Sequence, residues 1–297
     1  MLRLTMGPLY YEFSRFHDPR IRIVPGDVVQ VESEDAFSGQ IRSNEDRRDK
    51  SKVPFSNPLT GPIAVEGAEP GDTLAVHIQD IQPLNGQCAT RTSDPGLLSQ
   101  WLGTDCPHGT HVCRIADGVI YWSDQHTIPY QPMLGCIGVA PHHGSPTTNP
   151  AGPHGGNMDI REVCPGNTIL LPVFIPGAHL YLGDAHAAMG HGELSASGLE
   201  MAAITTLKVD VISGNELRWP RMMGEEEIAV VVSGSPMERS IAQAYAELIL
   251  WLESDYGWSR WRAYDLLTHV GEISVGYYGI GTVAAKVATR YLNPPSP

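Results

Sequence analysis

The side chains that can bind a metal ion or move a proton are concentrated near the middle of the sequence. The stretch from Gly152 to Glu193 reads GPHGGNMDIREVCPGNTILLPVFIPGAHLYLGDAHAAMGHGE. The candidate histidines and acidic residues in or just beyond it include His154, His179, His186, His191, Asp159, Asp184, Glu193 and Glu200. Neutral imidazole and carboxylate oxygens are the ligands that suit Zn²⁺ and similar ions at hydrolytic sites. This composition favours a divalent metal site, with a set of ordinary loop side chains as the alternative.

The spacing of these residues indicates how they come together. Asp184 and His186 are two residues apart, so on a strand their side chains face the same side. His154 and Asp159 precede the apolar run TILLPVFI, and Asp184 and His186 follow it. If this run and the next one, AHLYLG, pair as strands across a turn at Pro176–Gly177, their polar ends meet. We therefore expect one site at the mouth of a sheet, built from both ends of a strand pair.

The overall composition limits the class of protein. The chain has 297 residues and a net charge of −13, which disfavours nucleic acids and anionic membrane surfaces as partners. Its five cysteines are an odd number, so a disulfide framework is not expected. The sequence contains no apolar run of about 18 residues and no segment typical of a signal peptide. We therefore expect a soluble cytoplasmic protein that binds neither nucleic acid nor membrane.

Turn chemistry recurs before several apolar runs and predicts a fold rich in strands. The motif Pro-Gly-Asp/Asn stands at residues 25–27, 70–72 and 165–167, each time followed by β-branched and aliphatic residues. Proline fixes φ, glycine permits a positive φ, and Asp or Asn bonds to nearby backbone before the strand begins. The expected fold is mainly β with a smaller α+β part, built from sandwich-like or barrel-like units that these turns initiate.

Helices are expected only near the C-terminus. Residues 237–257 and 259–270 predict two helices, the second capped by Ser259. The first carries an apolar stripe at helical spacing, made of Ile241, Tyr245, Leu248 and Leu252. With three nearby tryptophans (Trp251, Trp258 and Trp261), the stripe offers apolar surface either to a second subunit or to the chain's own sheet.

A single domain over residues 1–297 accounts for the whole pattern. Its β-rich part is expected to span residues 1–215, and its smaller α+β part residues 216–297. The last five residues, NPPSP at 293–297, are expected to be unstructured.

Six segments, in order along the chain, resemble the acetamidase/formamidase family. They are GDVVQVESEDAFSGQI, NPLTGPIAVEGAEPGDTLAVHI, PMLGCIGVAP, GPHGGNMD, PVFIPGAHLYLGDAHAAMGHGE and GLEMAA, between about Pro25 and Val211. The resemblance implies a largely β fold, a homo-oligomer, and hydrolysis of small linear amides, in some members cyclic ones, to a carboxylate and ammonia. It also implies a divalent metal, with zinc as the usual candidate and calcium as the alternative.

The family motifs, matched residue by residue, imply the reacting groups. The expected metal ligands are Asp159, Asp184, His186 and, as a further ligand or a partner of one, His154. Either Glu200 or Glu193 is expected to carry the proton from water to the leaving nitrogen. The oxyanion is expected to be held by Asn157 or by the backbone amides of two neighbouring glycines.

Further matches imply contacts with the substrate. The residues expected to make them are Asp35, Gln40, Gly155, Gly156 and His191. His191 departs from the family pattern, which generally has Asp before the final Gly-Glu. An imidazole there exchanges an anion for a group that is neutral or positively charged. If His191 lines the pocket, it tunes the site; if it points to solvent, it has no such effect.

Two alternatives to amide hydrolysis remain open from the sequence. His186, His191 and Glu193 superficially resemble the site of a cupin-like metal oxygenase. Such folds use a close His-x-His pair, however, and these two histidines are five residues apart. The second alternative is a metal-stabilised β scaffold that binds a small ligand without turning it over.

Overall fold

The computed structural model describes residues 1–92 and 95–292, and strands dominate it. The strands are β1 (Leu2–Leu4), β2 (Ile21–Ile23), β3 (Val28–Ser33), β4 (Leu59–Val65), β5 (Thr73–Pro83), β6 (Gln87–Thr92), β7 (Gly109–Ala116), β8 (Val119–Tyr121), β9 (Thr127–Pro129), β10 (Met133–Val139), β11 (Ala151–Gly152), β12 (Gly155–Asn157), β13 (Thr168–Pro172), β14 (Leu180–His186), β15 (Glu200–Met201), β16 (Ala203–Ile212), β17 (Arg221–Met223), β18 (Glu227–Ser233), β19 (Glu272–Val275) and β20 (Thr282–Ala288). The α-helices are α1 (Ser99–Leu102), α2 (Met237–Tyr256) and α3 (Arg260–Val270). The mainly β fold with two late helices is confirmed. The expectation of helices only near the C-terminus is wrong for the single turn of α1, which lies in the first half of the chain. The predicted unstructured tail, residues 293–297, lies outside the described residues.

Two large sheets pack face to face. The first has nine strands in the order β1-β3-β16-β5-β13-β17-β18-β20-β19. The second has eleven, with β11-β12-β10-β14-β15-β6-β7-β8-β9 in sequence, and with β4 joined to β14 and β2 joined to β4. Buried side chains of both sheets share one apolar cluster, for example Val76 and Leu207 from the first sheet with Ile137 and Leu182 from the second. This packing gives the expected sandwich-like arrangement.

The three Pro-Gly-Asp/Asn turns all start strands of the nine-stranded sheet, namely β3, β5 and β13. Their glycines have left-handed φ values of 92°, 93° and 92°, at Gly26, Gly71 and Gly166. The Asp27 carboxylate accepts the backbone N–H of Val24 at 2.9 Å, and the Asp72 carboxylate accepts that of Glu69 at 3.0 Å. The predicted turns therefore determine where three strands of this sheet begin.

Helices α2 and α3 cover the other face of the nine-stranded sheet. Along β18, Val230 and Val232 pack with the helices, whereas Val231 packs with the second sheet, because side chains of a strand alternate. Gly257 ends α2 with a φ of 67°, and Ser259 Oγ accepts the N–H of Arg262 at 3.4 Å. Both predicted helix boundaries are thus confirmed. No helix of the described chain is both long enough and apolar enough for a membrane span.

The apolar side of α2 is centred differently from the predicted stripe. Its buried residues are Ser240, Ala244, Leu248, Trp251 and Leu252. Ile241 and Tyr245 are only half-buried, because small residues occupy the line of closest approach to the sheet. The stripe and Trp251 pack against the chain's own sheet, which was one of the two alternatives considered above. Trp261, by contrast, is 72% exposed.

Strands β13 and β14 do not pair, so the predicted strand pair is wrong. β13 pairs with β5 and β17 in the nine-stranded sheet, and β14 pairs with β10, β15 and β4 in the other. The turn at Pro176–Gly177 therefore crosses between the sheets. Continuous apolar runs are buried on both faces, and such a run carries no local signal that separates a hairpin from a crossing between sheets.

We expect Leu248→Ala to lower the free energy of unfolding by about 2–5 kcal/mol, because it deletes a fully buried side chain between α2 and the sheet. Leu102→Ala on α1 is the matched control, since Leu102 is 69% exposed. Denaturant unfolding of both variants and the wild type measures the difference. A wild-type midpoint for Leu248→Ala would contradict the packing of α2 described above.

Candidate metal centre

A cluster of four carboxylates and one imidazole lies in the eleven-stranded sheet and the loops that leave it. Its members are Asp159, Asp184, His186, Glu193 and Glu200, and all five are buried. β14 carries Asp184 and His186, as their spacing predicts, and β15 carries Glu200. Asp159 follows β12, which is separated from β14 only by β10, and Glu193 lies in the loop between β14 and β15. The acidic groups predicted to converge do so, although through neighbours of β14 other than β13.

His186 is the centre of this cluster. Its Nε2 lies 3.1 Å from Glu200 Oε2 and 3.5 Å from Asp184 Oδ1. Two groups of three residues could each hold a metal ion, because one possible ligand atom from each member lies within 4.8 Å of the others. These ligand sets are Asp159, His186 and Glu193, and Asp184, His186 and Glu200. His186 therefore belongs to both possible ligand sets.

Several ligand atoms of the cluster are buried without a hydrogen-bond partner. They are Asp159 Oδ1, Asp184 Oδ1, Glu200 Oε2 and His186 Nε2. His186 Nε2 and Glu200 Oε2 are close, yet their angles do not form a hydrogen bond. Buried polar atoms are almost always satisfied, by protein, water or an ion. Convergent oxygen and imidazole nitrogen atoms left in this state fit a divalent cation such as Zn²⁺.

Two glycines leave the space that these side chains occupy. A Cβ atom on Gly135, in β10, would lie 2.6 Å from Asp159 Oδ1 and 2.8 Å from Asp184 Oδ2. A Cβ atom on Gly198 would lie 2.5 Å from His186 Nδ1. All three distances are shorter than van der Waals contact, so any larger residue would displace a side chain of the cluster. The glycines beside the cluster thus have a steric purpose that their positions in the sequence only suggested.

Three members of the cluster have a backbone conformation that residues other than glycine rarely adopt. The φ angles are 50° for Asp159, 56° for Asp184 and 44° for Glu193. Such conformations cost on the order of 1–3 kcal/mol each and persist where the surroundings fix them, most often at functional sites. The backbone here is therefore held in place by the packed sheet around it.

Neighbouring polar side chains orient two of the carboxylates. Asn157 Nδ2 donates to Asp159 Oδ2 at 2.7 Å, and Asn57 Nδ2 donates to Asn157 Oδ1 at 2.9 Å. Ser197 Oγ donates to Glu200 Oε1 at 3.3 Å. In each carboxylate one oxygen is thus held by the protein, while the other faces the cluster. This division is typical of metal ligands, which are fixed by hydrogen bonds from behind.

Burial and mutual repulsion shift the pKa values of the cluster. Burial, followed by the charges of Glu193 and Asp184, raises the pKa of Asp159 well above its usual range. Burial also raises the pKa of Glu193 to about 8 and that of Glu200 to about 7. Burial lowers the pKa of His186, but Glu200 and Asp184 outweigh this effect and raise it well above its usual value. A bound cation would supply the positive charge that this arrangement needs.

A cavity of about 250 Å³ opens beside the cluster. The residues that line it include Asp184, Glu193, Glu200, Asn57, Asn157, Arg48, Arg91 and Tyr277. This volume is below the range of about 300–1,000 Å³ that is typical of pockets for drug-sized ligands, so it suits a smaller molecule.

His154 lies outside both ligand sets, although it is buried nearby. Its ring packs edge-on against Phe13, with the ring centroids 5.0 Å apart. Burial lowers the pKa of His154 to about 4, so the ring is neutral. Its Nε2 has no hydrogen-bond partner.

The predicted substrate contacts lie around the cavity rather than in its lining. Asp35 accepts the N–H groups of Phe37 and Gly39 and binds Arg42 at 2.8 Å, which folds the loop after β3. Gln40 Oε1 accepts the N–H of Asp49 at 2.6 Å in the same loop. Neither Asp35 nor Gln40 lines the cavity, whereas their neighbour Phe37 does.

Gly155, Gly156 and His191 are also outside the lining of this cavity. A Cβ atom on Gly155 would collide with the backbone oxygen of Ile137, so this glycine allows β12 and β10 to approach closely. His191 is exposed and lines two neighbouring cavities instead. The cupin-like arrangement required His191 to join His186 and Glu193, and the geometry does not support it.

Sequence reasoning missed four residues that line the cavity: Asn57, Arg48, Arg91 and Tyr277. Asn57 opens one of the quoted segments, NPLTGP, and its φ of 56° sets it apart from the strand that follows. Arg48 comes from the charged loop before β4, Arg91 from β6, and Tyr277 from the segment after β19. They are distant in sequence and carry no spacing that would connect them to the cluster.

The sequence and the fold have counterparts among known proteins. The sequence profile of the acetamidase/formamidase family matches residues 11–144 and 137–275. An acetamidase from Yersinia enterocolitica superimposes with a TM-score of 0.92 at 36% identity, covering 99% of this chain and 93% of that one. An acetamidase from Bacillus halodurans gives a TM-score of 0.89 at 32% identity, covering 98% of both chains.

Curated relatives agree with these structures. The formamidase of Methylophilus methylotrophus is 28% identical over 262 residues, which are 67% of this chain and 63% of that protein. The chain matches 60–63% of the length of the curated relatives. Since the profile matches most of the chain, the protein belongs to the acetamidase/formamidase family.

We expect Gly198→Ala to reduce the amount of metal bound, because its methyl group would displace the His186 ring. Gly190→Ala is the matched control, since a Cβ there meets nothing within 4 Å and its φ is not left-handed. Elemental analysis of the purified variants gives the metal content, and circular dichroism establishes that both are folded. Full metal content in Gly198→Ala would mean that His186 is not a ligand.

Proposed function

We propose that the protein hydrolyses small amides to a carboxylate and ammonia at this cluster, with a divalent metal bound. The observation that carries the proposal is the set of buried, unpartnered ligand atoms beside a cavity of about 250 Å³. The names of the relatives, acetamidase and formamidase, support the reaction class. Linear amides of one to four carbons and a small cyclic amide suit a cavity of this volume.

Three side chains are proposed to hold the metal: Asp159, Asp184 and His186. Each contributes an unpartnered buried atom. His186 belongs to both possible ligand sets, Asp159 to one of them and Asp184 to the other. Carboxylate oxygen and imidazole nitrogen suit Zn²⁺ best, with Ca²⁺ less well matched because it prefers oxygen alone. A divalent metal at this position lowers the pKa of water towards about 7 and polarises the amide carbonyl. His154, which is neutral and buried, is proposed to support the centre from outside the ligand sets.

Glu193 is proposed to carry the proton from water to the departing nitrogen. It lines the cavity beside the cluster and also lines the neighbouring cavity, so it faces the space where substrate enters. Glu200 lies deeper, with one oxygen held by Ser197 and the other beside His186. This position suits a group that orients His186, which leaves Glu193 as the carboxyl that can reach the substrate.

Asn157 is proposed to stabilise the oxyanion. A side-chain amide has two N–H donors, and one of these is committed to Asp159. The residue lines the cavity, so its second N–H is available to an oxygen of the substrate. The amides of Gly155 and Gly156 are a weaker choice, because these residues do not line the cavity.

The decisive experiment is the release of ammonia from formamide, acetamide, propionamide and a γ-lactam, with and without a chelator. Turnover of at least one amide, lost with chelator and restored by Zn²⁺, is the expected result. Tight binding of these amides without ammonia release would favour the non-catalytic scaffold instead. Full activity in protein that contains less than a tenth of an equivalent of any divalent metal would refute the metal-dependent reaction.

His186→Ala and Glu193→Gln are expected to fail in different ways. His186→Ala should lose both bound metal and turnover, since His186 belongs to both ligand sets. Glu193→Gln should keep the metal and lose roughly 10²–10⁴-fold in kcat, the usual contribution of a proton carrier. His108→Ala, which alters an exposed histidine, is the control. Loss of metal in Glu193→Gln would assign Glu193 to the ligands.

We further propose that the protein is a cytoplasmic homo-oligomer. Its five cysteines are all unpaired, which supports a reducing compartment. Trp261 and Tyr264 on α3 are 72% and 54% exposed, with their rings 6.1 Å apart, and offer apolar surface to a second subunit. Sedimentation at micromolar concentration should give a species larger than the 32.3 kDa chain, and Trp261→Ser should weaken it. A single species of chain mass in the wild type would disprove the oligomer.

A further inference from the structure

Two arginine side chains line the cavity that also holds the acidic cluster. Arg48 comes from the loop between β3 and β4, and Arg91 from β6. Both side chains line the same cavity, and burial, followed by the charge of Arg91, lowers the pKa of Arg48. Like charges that approach each other in a half-buried place repel, so this pair is unfavourable unless something negative lies between or beside them.

Within the part of the chain that the structure describes, no carboxylate forms an ion pair with either arginine. Arg48 donates to Ser56 Oγ at 2.6 Å and to the backbone oxygen of Phe55, and both acceptors are neutral. Its Nε is buried without a hydrogen-bond partner. Among the described residues, no ion pair or side-chain hydrogen bond involves Arg91. Of the carboxylates that line the same cavity, Asp184 and Glu200 lie beside His186, and no ion pair joins Glu193 to either arginine in the described ranges.

The donors that remain suit a carboxylate. A guanidinium has five N–H donors in a planar fork, which matches the two oxygens of a carboxylate. A neutral amide such as acetamide has no group that would use this pair, because its carbonyl oxygen and nitrogen are needed at the metal side. The cavity volume of about 250 Å³ leaves room for a second polar end a few carbons away from the amide.

We propose that Arg48 and Arg91 form a carboxylate-binding subsite, and that the substrate is an amide whose acyl chain ends in a carboxylate. A half-amide of a short dicarboxylic acid has this chemistry. The proposal rests on the proposed function for the reaction itself. Water oxygen bonds to the amide carbon, the C–N bond breaks, and nitrogen leaves with a proton as ammonia. The distal carboxylate is unchanged and serves only to hold the substrate.

The test compares malonamate and succinamate with malonamide and succinamide, which differ mainly in the charge of the distal group. The wild type should show a higher kcat/KM for the charged half-amides. Arg91→Met should lower the ratio of kcat/KM for the charged half-amide to kcat/KM for the neutral diamide. The expected decrease is roughly tenfold to a hundredfold, as for a lost charge-assisted hydrogen bond. Arg91→Lys should recover part of it. Arg114→Met is the control and should keep the wild-type ratio, because Arg114 lies over the Tyr121 ring, away from the cavity.

A second arm distinguishes the substrate's carboxylate from that of the product. If the subsite serves the product alone, inhibition by acetate weakens in Arg91→Met while the substrate ratio stays unchanged. That outcome overturns the assignment of a dicarboxylic half-amide. An unchanged ratio together with unchanged inhibition by acetate and malonate overturns the subsite altogether.

A direct binding measurement separates this proposal from the proposed function. Malonate binding to the wild type and to Arg91→Met is followed by titration calorimetry, which needs no turnover. If neither the charged nor the neutral amides release ammonia, the proposed function is wrong. The subsite is then tested by malonate binding alone. Binding that is weakened tenfold or more in Arg91→Met supports the subsite, and equal or absent binding refutes it.

Discussion

The structure depends on burying four carboxylates and one imidazole within a few ångströms of each other. Burying an isolated carboxylate costs free energy, and like charges at this spacing repel each other. The packing of the surrounding chain therefore has to hold these side chains together. It does so from a strand, β14, in which every residue is buried. Gly135 and Gly198 leave the space, Asn157 and Ser197 hold the outer oxygens, and the remaining ligand atoms face one another.

A two-sheet architecture with a helical layer suits this requirement. The eleven-stranded sheet carries the cluster, and its inner face is anchored by the apolar cluster shared with the nine-stranded sheet. The helices then cover the far face of the nine-stranded sheet, so that sheet is apolar on both sides, as Val230 and Val231 show. Strained φ angles at Asp159 and Asp184 persist because the sheets around them are fixed.

Local chemistry could be predicted from the sequence, and long-range pairing could not. The two-residue spacing of Asp184 and His186 placed both in one ligand set, because a strand has a period of two. The three Pro-Gly-Asp/Asn turns and the helix boundaries at Gly257 and Ser259 could be predicted for a similar reason, because each depends on residues that are adjacent in the sequence. The pairing of β13 with β14 failed, since a buried apolar run fits several neighbours. The cavity's arginines come from distant segments, and nothing in their own surroundings indicates the site.

The cavity therefore has two unsatisfied parts of opposite sign. The cluster around His186 has carboxylate oxygens that need a cation, and Arg48 and Arg91 have guanidinium donors that need an anion. Salt bridges between the two sets would satisfy both, yet none forms among the described residues, although both sets line one small space. This separation is what the proposed metal site and the proposed carboxylate subsite require. Pairing these opposite charges would satisfy both sets of groups within the fold itself. Their separation in one cavity therefore favours a site that binds a small ligand.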